Sequence, residues 1–223
     1  MTKKYHALHL HPAHSRYRIP HMEATKQRQP EACEYMPADY FARIDPHTIF
    51  GNDAPIEIDL GCGDGSFLIQ MAQQFPERNF LGVERLLGRA KKVARKAERA
   101  GLTNCKVLRL ESKYTIEWLF PEASIDRLHL LCPDPWPKER HHKRRLVQQD
   151  FLEVLYNTIK PGGEFCFKTD HPEYYEWVCE EMKTFKKFQV QDWPGDAFFY
   201  PKTDFQIQWE AEGKPIHRLR AKK

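Results

Sequence analysis

The chain has 223 residues, of which 41% are hydrophobic and 30% charged, with 14 Phe and 5 Trp; that is enough apolar material for one sizeable core and argues against a disordered chain. Thirty-five Lys and Arg against 31 Asp and Glu leave a net charge of only +4, so any polyanion-binding role rests on where the cations sit. No run approaches the roughly 20 apolar residues that span a bilayer, the N-terminal MTKKYHALHLHPAH lacks the apolar stretch of a secretory signal, and six cysteines without a Cys-x-x-Cys pair read as reduced thiols of a cytoplasmic protein.

Residues 1–54 read as an irregular N-terminal arm: prolines at 12, 20, 30, 37 and 46, five early histidines, little apolar periodicity and room for one short helix. His6, His9, His11 and His14 match no tetrahedral zinc spacing, so no metal is expected. From residue 55 to 223 the pattern becomes that of one folded domain. Residues 56–60 are a short β-branched run, followed by the Gly61-Cys62-Gly63-Asp64-Gly65 turn. Phe67, Leu68, Met71, Ala72 and Phe75 give residues 66–75 helical spacing. A strand at 79–83 leads to a helix at 86–100 whose apolar stripe is Leu86, Leu87, Ala90, Val93, Ala94 and Ala97. Strands follow at 105–110 and 125–132, the latter apolar enough to be buried on both faces. A helix at 146–159 is stopped by Pro161-Gly162-Gly163, a strand occupies 164–168, and a helix covers 172–185, with Tyr174 and Trp177 as core residues three apart. The tail from Phe188 holds two aromatic, strand-like stretches. Strands alternating with helices predict an α/β fold: a mostly parallel, Rossmann-like sheet with helices on both faces, binding ligands at the carboxyl ends of its strands.

Two motifs fall at such ends. In Asp59-Leu60-Gly61-Cys62-Gly63-Asp64-Gly65, Gly61 and Gly63 allow close backbone approach to a ligand; a Gly-x-Gly alone is a weak signal, the lesser alternative being a tight strand-to-helix turn. The third glycine of a dinucleotide fingerprint and the Gly-Lys-Ser/Thr of a phosphate loop are both missing. A second acid, Glu84, ends the next strand 25 positions after Asp59, where a carboxylate suits a pair of ribose hydroxyls. This arrangement resembles the class I S-adenosylmethionine-dependent methyltransferases. The resemblance implies that the turn wraps the amino-acid portion of S-adenosylmethionine, that Glu84 holds the ribose, and that Glu111 lies near the adenine amine; the lesser alternative for Glu111 is a solvated loop carboxylate.

The second motif is Pro133-Asp134-Pro135-Trp136-Pro137-Lys138, whose three prolines hold a rigid loop. Trp136 there is either a stacking platform or an apolar plug. Residues 138–145 carry Lys138, Arg140, Lys143, Arg144 and Arg145 with one acid, at what reads as a helix start and as a match for phosphates. Further cations cluster at Arg89, Lys91, Lys92, Arg95, Lys96 and Arg99, and at Arg218, Arg220, Lys222 and Lys223. The string PDPWPKERHHKRRL and the downstream KTDHPEYYEW closely resemble the bacterial tRNA (guanine-N7-)-methyltransferase family, over about residues 55–185 and more weakly to the end. That resemblance implies four cofactor-side acids, Asp59, Glu84, Glu111 and Asp134, with Asp134 catalytic. It also implies substrate contacts at Lys138 and Asp170 and in a late Thr-x-[Phe/Tyr]-Glu motif. Here that motif is Thr203-Asp204-Phe205-Gln206, in which Gln206 keeps hydrogen-bonding reach but loses the charge. The expected reaction is methylation of N7 of a variable-loop guanine in tRNA. It needs no strong base because N7 already carries a lone pair. Two rival readings remain: a methyltransferase for another acceptor, such as another RNA or an amino group on a protein or base, and a non-catalytic RNA-binding module. A monomer and a homodimer are both open.

Overall fold

The structure, a computed structural model, describes residues 31–223; the early histidines and most of the expected arm lie outside the described residues. Among these residues, eight strands form one sheet. In spatial order they are β1 (Glu34–Tyr35), β4 (Cys105–Leu108), β3 (Asn79–Val83), β2 (Ile56–Leu60), β5 (Ile125–Leu131), β6 (Ile159–Thr169), β8 (His217–Lys222) and β7 (Gln189–Gln191). The first six in this order are mutually parallel, and β8 runs antiparallel to both its neighbours. The chain moves outward from β2 through β3 to β4, then returns to the other side of β2 as β5. The topological switch point therefore lies between β2 and β5, where ligands of such sheets bind.

Every residue of β2 and β3 is buried because both faces of the sheet are covered. One face packs Phe80 and Val107 against Phe67, Leu68 and Met71 of α2 (Ser66–Gln74) and against Ala90, Val93 and Ala94 of α3 (Leu87–Arg99). The other face packs Ile58, Leu60, Leu128, Leu130, Phe165 and Phe167 with Ile49 of α1 (Pro46–Phe50), Phe151 and Leu155 of α5 (Gln149–Thr158), and Tyr174 and Val178 of α6 (Pro172–Phe185). A short helix, α4 (Ser112–Tyr114), continues into a π-helical turn at Thr115–Leu119. No described helix is long and apolar enough to cross a membrane.

Four sequence expectations change. Within the expected arm, β1 pairs with β4 and extends the sheet, while α1 is the one short helix. The helix expected from 146 begins at Gln149; residues 139–144 form a 3₁₀ turn instead, and the Gln148 amide bridges the Lys143 and Arg145 carbonyls. Pro161-Gly162-Gly163 does not separate helix from strand. It lies within β6 as an irregularity, where pairing with β5 jumps from Ile125↔Ile159 to Arg127↔Glu164 and Gly162 takes φ +81°. In the tail, the aromatic stretch around Phe205 and Trp209 is a helix, α7 (Asp204–Ala211), capped by the Thr203 hydroxyl, which accepts from Gln206 N. The two strands of the tail are β7 and the basic β8.

Candidate active site

The carboxyl edge of the sheet gathers the predicted acids. Asp59, on β2, is 3% exposed. Burial pushes its carboxyl up to about 7, helped by the nearby charges of Glu84 and Asp64. Glu84 is also buried, directly after β3, and its Oε1 accepts from Leu86 N at 2.7 Å. Gly61 takes φ +76° and Gly63 φ +58°. A Cβ at Gly61 would meet nothing within 4 Å, so it is the left-handed backbone conformation that calls for glycine here. Gly82, beside Asp59 on β3, is required by packing: a Cβ would come within 2.7 Å of Cys62 Sγ. Burial acts to raise the Asp64 carboxyl, but hydrogen bonds from Lys96 and Ser66 outweigh it and hold the group at about 2. Glu111 is exposed after β4, and one of its oxygens caps α4 by accepting from Tyr114 N at 2.8 Å.

Across the switch point, Asp134 stands exposed between Pro133 and Pro135. The loop is held in an unusual shape, with Cys132 at φ +48° and Trp136 at φ +47°, a region non-glycine residues rarely adopt. Trp136 is half-buried, with the Arg144 guanidinium 4.9 Å above its ring and His141 edge-on at 5.9 Å. Lys138, Arg140, Lys143 and Arg144 all project into solvent. Arg145 does not. It is 1% exposed; its Nε donates to Pro135 O at 2.9 Å, one amino group reaches Glu173 at 3.0 Å, and its plane lies over Tyr174 and Trp177 at 5.1 and 5.2 Å. The expectation that Arg145 faces a phosphate is therefore corrected: apolar rings and a carbonyl enclose it, and it ties the proline loop to α6.

A third group closes the site at the end of β6. Asp170 follows Thr169 there, half-exposed. Thr203 caps α7 beside the Cys132 thiol. Gln206 is buried. Its oxygen accepts from Lys168 Nζ at 3.2 Å and its nitrogen donates to Glu210 at 2.7 Å, and Glu210 is itself paired with Lys202. Lys168 is buried beside Tyr200 and Trp193, at 4.5 and 5.3 Å from their ring centres. Burial, then Arg218, lowers it to about 8.

Sequence reasoning missed the polar strip beneath this roof. Glu57, Arg127, His129, Glu164 and Lys168 share the sheet face of Asp59. His129 is fully enclosed, with Nε2 2.8 Å from Glu57 and Nδ1 2.6 Å from the Tyr200 hydroxyl. Burial lowers the imidazole, opposed by Glu57, so the neutral ring donates from Nε2 and accepts the Tyr200 proton at Nδ1. Burial acts to raise Glu57, but the His129 hydrogen bond and the neighbouring cations bring it down to about 2. The available signal was polar residues two apart inside apolar strands: Glu57 with Asp59, and Arg127 with His129.

Residues 53–219 match the family model described as "Putative methyltransferase". The tRNA (guanine-N(7)-)-methyltransferase of Syntrophotalea carbinolica is 35% identical over 81% of this chain and 77% of its own length. That of Yersinia pestis is 38% identical over 80% of this chain and 76% of its own. Among solved structures, an antibiotic-related methyltransferase superposes with a TM-score of 0.59 over 87% of this chain and 98% of its own, at 16% identity, a likeness of fold alone.

Proposed function

The chain belongs to the tRNA (guanine-N(7)-)-methyltransferase family, and from that premise we propose that it transfers a methyl group from S-adenosylmethionine to N7 of a guanine in tRNA. The observation that carries this reading is the switch point. Buried acids stand on its β2 side; an exposed Asp134, in a loop of fixed shape bordered by four solvent-facing cations, stands on its β5 side.

The residues present fit the cofactor. The open, positive-φ backbone at Gly61 and Gly63 leaves a cradle that a side chain would narrow. Asp59 and Glu84 place two carboxylates where a cationic ligand relieves their mutual repulsion. Asp59 would hold the amino-acid portion, Glu84 the ribose and the free oxygen of Glu111 the adenine amine. When bound, S-adenosylmethionine supplies a methyl group made electrophilic by its sulfonium.

The protein's own work is positioning. Guanine N7 attacks with its lone pair, so no residue removes a proton beforehand. Asp134 accepts hydrogen bonds from the base edge and offsets the positive charge that the ring gains. Its loop is rigid before binding, so little ordering is needed at the moment of encounter. Lys138, Arg140, Lys143 and Arg144 contact tRNA phosphates, and Asp170 and Thr203 border the base; the expected substrate contact at Gln206 is corrected, because that side chain is buried and both its polar atoms are taken by Lys168 and Glu210. The deep, narrow major groove of an RNA helix hides N7, so the target lies in a loop or an irregular region, as a variable-loop guanine does. The test is methyl transfer from labelled S-adenosylmethionine to unmodified transcribed tRNA, with the product nucleoside mapped by mass spectrometry. Asp134→Ala should lower kcat on the order of a hundredfold or more while cofactor affinity stays within about twofold. Unchanged turnover in that variant would remove Asp134 from the reaction.

A further inference from the structure

Helix α3 carries a second basic surface that the catalytic loop does not include. Arg89, Lys92, Lys96 and Arg99 follow one another on α3 at steps of three, four and three residues, and Arg85 stands just before the helix, ahead of its cap residue Leu86. That spacing places the four helical residues on one face of α3, rising about 15 Å from Arg89 to Arg99. The opposite face is fixed inward by Ala90, Val93, Ala94 and Ala97, all buried against the sheet and α2. The cationic face cannot turn away from solvent without exposing that stripe.

Most of this charge is unneutralised. Lys96 is paired with Asp64 on the glycine turn, which ties the row to the rim of the active site. Arg99 donates from Nε to the Arg95 carbonyl, leaving the rest of its guanidinium outward. Arg85, Arg89 and Lys92 are exposed and have no carboxylate partner among the described residues. A face that served solubility alone would intersperse both signs and pair them at i, i+4. From Leu86 to Ala100 the only acid is Glu98.

Position adds a second reason. The α3 row flanks the switch point on the β3 and β4 side, whereas Lys138, Arg140, Lys143 and Arg144 flank it on the β5 side. Two basic surfaces on either side of one cleft fit a folded polyanion larger than the cleft.

We infer that the Arg89–Lys92–Arg99 face of α3, together with Arg85 just ahead of the helix, is a second docking surface for the sugar–phosphate backbone of the RNA substrate. This rests on the tRNA reading above and extends it to a contact remote from the target base. The surface binds phosphates without reading sequence, so it contributes affinity and orientation rather than choice of base.

The experiment compares the full chain with the R85A/R89A/K92A variant, since alanine is well accommodated in a helix. Fluorescence anisotropy measures tRNA affinity across a salt series, and methyl transfer is measured alongside. Each lost phosphate contact removes about 0.7–0.9 from the slope of log affinity against log salt, so the slope should fall by about 2–3. At about 0.15 M salt the tRNA affinity should drop on the order of tenfold or more, appearing as a raised KM with kcat little changed. Cofactor affinity should be unaffected, and the charge-conserving R85K/R89K/K92R variant should restore the slope. An unchanged slope and KM would show a merely solvated face and overturn the proposal. A lowered slope in a protein whose parent chain binds tRNA but transfers no methyl group would keep this surface and remove the functional reading instead.

Discussion

Asp59→Asn isolates the electrostatic strain held in the cofactor cleft. Asp59 is fully enclosed and its carboxyl is raised from an ordinary 3.8 to about 7, first by burial and then by Glu84 and Asp64. A group whose native pKa lies above its unfolded value binds its proton more tightly in the folded state. The stabilisation it brings is complete below the unfolded value and is lost as the pH climbs through about 7. The rise from 3.8 to about 7 corresponds to about 4 kcal/mol of folding stability withheld at about pH 8, and to less than about 2 kcal/mol at about pH 5. Asparagine has the same shape and no charge to desolvate. The variant should therefore unfold at higher denaturant than the parent at about pH 8, by several kcal/mol without cofactor, with the gap narrowing by about 2–3 kcal/mol at about pH 5. Its affinity for S-adenosylmethionine should fall about tenfold or more, because the charge-assisted contact is gone. Urea titrations at the two pH values and isothermal calorimetry supply the numbers. A variant no more stable than the parent at the higher pH would show that Asp59 is not held charged against burial, and the account of the acid cluster would fail.

Three further predictions concern the rest of the site. Arg145→Ala should destabilise the fold by about 2–4 kcal/mol, and Arg145→Lys should not recover it because a single ammonium cannot reach both Pro135 O and Glu173 while lying over two rings; Arg144→Ala, with its exposed guanidinium, should leave the denaturation midpoint nearly unchanged. Tyr200→Phe leaves His129 Nδ1 buried without its partner and should cost about 1–3 kcal/mol, read by thermal unfolding; a melting temperature equal to the parent's would refute a stabilising Tyr200–His129 hydrogen bond. Gln206→Glu brings a second carboxylate to the position now 2.7 Å from Glu210, so stability should drop by about 1 kcal/mol and the double variant Gln206→Glu/Glu210→Gln should recover it; strict additivity of the two changes would refute the coupling.

What was legible in the sequence was whatever local chemistry dictates. The strand, glycine turn and helix at 56–75 follow from apolar periodicity and from backbone that glycine tolerates, and the structure places them there. Alternation of strand and helix required parallel pairing with both faces covered, which put Asp59, Glu84, Glu111 and Asp134 along one edge of the sheet without any knowledge of strand order. Other features were decided only by contacts between residues distant in the chain. The run 138–145 is uniformly basic, yet Arg145 is buried because Tyr174, Trp177 and Glu173, some thirty residues onward, build a slot for it. Pro161-Gly162-Gly163 has the local signature of a break, but the backbones of β5 and Lys223 draw it into a strand. The aromatic tail has no strong period of its own; capping by Thr203 and the Lys168–Gln206 bond settle α7 as a helix beside the site. Period, glycine and proline act over a few residues and can be read along the chain. Burial of a charge depends on which partners the fold brings within reach, and only the tertiary structure determines that.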